Sequence, residues 1–90
     1  MKFVLNKCFG GPSMSEAATE ILDRNNRYDF DTTDIDLIAL IEEHGTEFCS
    51  GRLAYLVVVE IPDDATDWEF TEYDGIESII YVVGGKLYHA

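Results

Sequence analysis

Asp29-Phe30-Asp31-Thr32-Thr33 has the Asp-x-Asp-x-Thr spacing that lets one carboxylate attack phosphorus while the second serves as acid and base. That chemistry needs the motif to close a buried hydrophobic strand, and here the polar run Arg24-Asn25-Asn26-Arg27-Tyr28 precedes it. A turn leading into a helix N-cap is the expectation. Asp29, Asp31, Asp34 and Asp36 also offer clustered oxygens to a hard cation such as Ca²⁺. An EF-hand is excluded, because Asp34 stands where the loop needs glycine and Leu40 where it needs a bidentate Glu. Only an irregular cation site is left to them. Neither His44 nor His89 has a second His or Cys at ligand spacing, which argues against zinc. Cys8 with His44 or His89 would make a nucleophile and base, but free cysteines are mostly core thiols, and that reading is preferred. No nucleophile, base and orienting group can be assembled, so neither an enzyme nor a cofactor is expected.

Gly10-Gly11 lies between a strand pattern and a helix start, where free backbone N–H groups can receive an anion. A phosphorylated or nucleotide ligand could dock there, with Lys7, Arg24, Arg27 and Arg52 as charge partners. The alternative is a tight turn that two glycines simply permit, since the spacing completes neither a P-loop nor a dinucleotide fingerprint.

Charge is the strongest signal. The 90 residues carry 18 Asp+Glu against 6 Lys+Arg, a net charge of -12. Such a balance repels phosphate backbones and anionic lipid, so direct binding to nucleic acid or membrane is not expected. No base lies between Arg52 and Lys86, whereas Glu60, Asp63, Asp64, Asp67, Glu69, Glu72, Asp74 and Glu77 fall in one short window. If Asp74-Gly75 makes a hairpin turn, Glu72 faces Glu77, a like-charge pair that costs up to about 1 kcal/mol. Carboxylates spaced in this way can imitate phosphates and occupy a basic groove on another protein. Trp68, Tyr73 and Phe70 are the candidate aromatic anchors. A merely solvated acidic face is the competing reading.

The elements that must position these groups follow from periodicity. Residues 2 to 9 predict a strand. Ser13-Met14-Ser15-Glu16 fits a capping box for a helix reaching about Arg24, and Thr33 to His44, stopped by Gly45, fits a second. Leu53 to Ile61 is apolar on both alternating sets, as in a central strand covered on two faces. Trp68 to Tyr73, Ile76 to Val83 and Lys86 to His89 predict a meander turning at Asp74-Gly75 and Gly84-Gly85. The expectation is one domain over 1–90 of the α+β class: a mostly antiparallel sheet of about five strands with two helices packed on one face, in the order β-α-α-β-β-β-β. An exposed last strand leaves a homodimer open.

The first residues do not build a signal peptide, no stretch reaches the roughly 20 apolar residues of a membrane span, and two cysteines suit a reducing cytosol. The segments Asn6-Lys7-Cys8-Phe9-Gly10-Gly11, Ser13-Met14-Ser15, Glu60-Ile61-Pro62-Asp63-Asp64 and Tyr73-Asp74-Gly75-Ile76-Glu77 together resemble a largely uncharacterised family of small phage and prophage proteins. The resemblance implies expression in the cytoplasm of an infected bacterium and supplies no catalytic residues. Small acidic phage proteins are often inhibitors, including anti-CRISPR and anti-restriction proteins. The expected partner is therefore a host defence or nucleic-acid-processing protein with a basic surface, bound through Asp63, Asp64, Asp67, Trp68, Glu69, Glu72, Tyr73, Asp74 and Glu77. The second expectation is the phosphorylated-ligand binder at Gly10-Gly11.

Overall fold

The computed structural model describes residues 1–90, with the order β1 (Lys2–Asn6), α1 (Glu16–Ile21), α2 (Ile35–His44), α3 (Thr46–Cys49), β2 (Leu56–Glu60), β3 (Asp67–Tyr73), β4 (Ile76–Val83) and β5 (Lys86–His89). This is an α+β fold with antiparallel strands, but the strands divide into two sheets. β1 pairs with β2 from Lys2↔Glu60 to Asn6↔Leu56, and β3-β4-β5 form a separate meander. The reason lies in the apolar alternation of β1 and β2. Val4, Leu56 and Val58 join Met14, Ala18, Leu37, Ile41 and Cys49 in a core beneath the helices. Phe3, Leu5, Val57 and Val59 instead meet Ile61, Ile79 and Tyr81. A ribbon that is apolar on both faces needs a layer on each, and here the helices supply one and the meander the other. The Leu53 to Ile61 run is thus covered on two faces without being central. It also starts late as a strand, at Leu56, leaving Leu53 68% exposed.

Two local expectations change. Ser15, not Ser13, caps α1, its Oγ accepting from Ala18 N at 3.0 Å. Ser13 and Met14 are held in extended conformation by the chain around residue 50: Gly51 N donates to Ser13 O at 2.8 Å, and Met14 bridges Ser50. α1 ends at Ile21, short of Arg24, and α3 adds a turn that buries Cys49. α2 follows its pattern. Asp34 Oδ1 accepts from Leu37 N at 3.1 Å, Gly45 with φ 94° ends the helix, and His44 in the last turn stacks on Phe48 with ring centroids 4.8 Å apart.

The meander matches its expected turns. Asp74 and Gly75 have φ of 51° and 86°, and Gly84 and Gly85 have 59° and 78°, the consecutive left-handed pair of a type I′ hairpin. No helix is long and apolar enough to cross a membrane.

Candidate functional site

Pairing within the meander decides where the acidic window points. Residues directly opposite across a ladder share a face, so the register Asp67↔Val82, Glu69↔Ile80 and Val82↔Leu87 puts Asp67, Glu69, Ile80, Val82 and Leu87 on the outer face. With Trp68 they line a shallow hollow of about 80 Å³. Tyr73, 76% exposed, lies on the same face. Trp68, Phe70 and Glu72 alternate to the inner face, where the Trp68 ring meets Phe3 edge-on at 4.8 Å. Trp68, 41% exposed, therefore also packs against the molecule's own core edge. The nine residues expected to make one contact surface divide between two faces, the Asp74 turn and the loop carrying Asp63 and Asp64.

The expected opposition of Glu72 and Glu77 is present in the register, but both carboxylates are engaged within the chain. Glu72 Oε2 accepts from Gly75 N and Glu77 Oε1 from Asn6 N, each at 2.7 Å. Burial raises the Glu77 pKa above the usual carboxylate range, with Glu72 adding to the rise and the Asn6 N–H and Lys7 opposing it. Glu77 is thus a structural acid joining β4 to β1, not part of an open contact surface. Among the remaining acids from Asp64 to Asp74 none has a Lys or Arg at ion-pair distance, while Asp63 meets the Met1 ammonium at 3.2 Å.

At Gly10-Gly11 the structure departs from an anion site. α1 begins at Glu16, its cap position is filled by Ser15, and six residues make too short a helix to present an N-terminal charge to the loop. Gly10 is required for contact: a Cβ there would stand 1.9 Å from Leu53 O, and one on Gly75 would stand 2.4 Å from Gly10 O. Two chain segments cross where the ligand was expected. Asn6, fully buried, ties that crossing. Its Nδ2 donates to the carbonyls of Cys8, Gly10 and Gly75 at 3.0, 2.8 and 2.8 Å, and its Oδ1 accepts from Tyr55 N at 2.9 Å. Sequence reasoning did not single it out for this role. The available signal was a lone amide ending an apolar strand directly before a glycine loop.

Of the four bases expected around that loop, two are engaged elsewhere. Lys7 Nζ is drawn inward to the Glu77 carbonyl at 2.5 Å, the Ala90 main-chain oxygen at 3.1 Å and the Ser78 hydroxyl at 3.4 Å, and burial lowers its pKa. Arg24 is spent in a two-pronged bond to Asp34, at 2.5 and 3.0 Å. Arg27 and Arg52 remain exposed and stay together: with Gly11 of the loop they line a cavity of about 220 Å³, and both also line a larger one along α1.

The four aspartates considered for a cation do not converge, and no cluster of acids, histidines or cysteines has metal-holding geometry. Asp29 accepts from Asn25 N at 3.2 Å, Asp31 from Thr33 N at 3.0 Å, Asp34 binds Arg24, and Asp36 approaches Arg24 at 3.9 Å. Cys49 is buried, which raises its thiol pKa, and Cys8 is half-buried. In comparisons with protein-family models, curated proteins and solved structures, nothing matches this chain.

Proposed function

We propose that the chain is an acidic binding protein that occupies a basic, nucleic-acid-binding surface of another protein, and that it is not an enzyme. The carrying observation is the outer face of the meander, where Asp67 and Glu69, unpaired with any base, border the apolar floor of Ile80, Val82 and Leu87. A Lys or Arg from a partner can lay its methylene stem on that floor and bring its charge to the acidic edge. Asp64 and Asp74 extend the field along the same strand's loop and turn, which favours fast, salt-dependent capture. The resemblance to small phage and prophage proteins supports a host defence or nucleic-acid-processing protein as the target, inhibited in the anti-CRISPR or anti-restriction manner in the host cytoplasm.

The test is affinity capture from a nuclease-treated bacterial lysate with the wild type and with D64K/D67K/E69K, whose folding is checked by circular dichroism. The wild type is expected to retain a defined protein that elutes as added salt shortens the screening length to about 3 Å near 1 M. The folded triple variant should lose it. Retention of the same protein by both chains would overturn the reading.

A further inference from the structure

Three segments meet beside α1 and hold two arginines against one cavity. Met14 N donates to Arg27 O at 2.9 Å, while Gly51 N donates to Ser13 O at 2.8 Å and Met14 bridges Ser50. The Arg27 and Arg52 segments are thereby pinned to the same short Ser13–Met14 stretch. Gly51 permits the approach: a Cβ at that position would stand 2.1 Å from Ser13 Oγ and 3.1 Å from Met14 O. Both arginines line a cavity of about 670 Å³ that Ser15, Glu16, Thr19 and Glu20 also border. The Tyr28 ring, 5.3 Å from the Arg27 guanidinium carbon, restrains that side chain.

In a chain with 18 acids and 6 Lys+Arg, neither Arg27 nor Arg52 forms an ion pair. Lys2 and Arg24, by contrast, are paired with Glu42 and Asp34. Two guanidinium side chains that border one cavity and form no ion pair supply the forked N–H donors that phosphates accept. A simple anion would still feel Glu16 and Glu20, which lie one helical turn apart on the same wall. The occupant must therefore be anionic at one end and rich in N–H donors at the other. We propose that this cleft binds a nucleoside phosphate, its phosphate on Arg27 and Arg52 and the donor edge of its base on Glu16 and Glu20. A guanine edge, with N1–H and the N2 amino group side by side, suits a carboxylate best. The cavity falls within the roughly 300–1,000 Å³ typical of small-molecule sites. At physiological salt charges farther than about 8 Å from the cleft are largely screened.

The experiment titrates the ¹⁵N-labelled protein with GMP, UMP, inorganic phosphate and guanosine at constant ionic strength. Saturable GMP shifts are expected at residues 13–20, 26–28 and 50–52, with UMP, phosphate and guanosine at least tenfold weaker. R27Q/R52Q, with its folded spectrum retained, should lose the GMP response, and E16A/E20A should lose the preference for GMP over UMP. D64K/D67K/E69K should bind GMP as the wild type does, which separates this site from the acidic face. No GMP response at millimolar concentration, shifts confined to other residues, phosphate binding as tightly as GMP, or unchanged binding by R27Q/R52Q would each overturn the proposal.

Discussion

Between Asp29 and Asp36, Asp29, Asp31 and Asp34 accept hydrogen bonds inside the protein from Asn25, Thr33, Leu37 or Arg24, and Asp36 lies 3.9 Å from Arg24. Between Glu60 and Glu77, Asp64, Glu69 and Asp74 accept no hydrogen bond from the chain, and Glu77 alone reaches into another layer, to Asn6. The two stretches look equally acidic as strings of letters. They differ because the first is a turn wrapped around a helix start, where backbone N–H groups and Arg24 are close at hand, while the second is extended chain that aims alternate side chains at solvent. Acid density alone therefore does not say which carboxylates are already engaged within the chain.

Putting a charge against three carbonyls is the severest way to sharpen this contrast. Asn6→Asp keeps the shape but removes both donors and faces a carboxylate with three carbonyls, so a loss of about 4 kcal/mol is expected in urea unfolding. That would consume much of the stability of a chain this size, of order 5–13 kcal/mol. Asp34→Ala removes a helix cap and strands Arg24, and should cost about 3 kcal/mol by the same measurement.

Glu77 provides an intermediate case. Glu77→Ala leaves the Asn6 N–H without its acceptor and should cost about 2 kcal/mol. Glu77→Gln keeps an acceptor while removing the charge, and at pH 7 should be more stable than the wild type. The sign follows from the raised pKa of Glu77, whose stabilisation is complete below its unfolded value of about 4.3 and is lost as pH rises through the folded value. The advantage of Glu77→Gln should thus vanish below about pH 4 in a stability-against-pH series.

Asp34 behaves oppositely. Burial raises its pKa, but hydrogen bonds from Arg24 and Leu37 N–H outweigh that and hold it below the usual range. Its contribution is present above its unfolded value of about 3.9 and is lost as pH falls through the folded one. The smallest effects belong to the exposed window: Asp64→Asn, Asp67→Asn and Glu69→Gln should each move stability by no more than about 0.5 kcal/mol. A larger shift at these positions would break the comparison.

The order of elements along the chain suffices for the α+β class, and local patterns suffice for the α2 start and stop, both hairpin turns and the Glu72↔Glu77 register. Each of these patterns depends on residues within a few positions of one another. The cap of α1 lies at Ser15 and not at Ser13 because Ser13 and Met14 pair with Gly51 and Ser50, far along the chain. The five expected strands became two sheets for a similar reason. Period-two apolarity says that β1 and β2 have two buried faces, and it is silent on whether a sheet edge or another layer covers them.

The sequence by itself determined the charge, the bases missing between Arg52 and Lys86, and the local turns and caps, because these depend on residue type and short-range geometry. Only the tertiary structure decided which charged groups were already spent. It set Lys7 on main-chain oxygens, Arg24 on Asp34 and Glu77 on Asn6, and brought Arg27 and Arg52 to one cavity. Hydrogen bonds and ion pairs act over a few ångströms, and those distances exist only after segments remote in sequence have packed together.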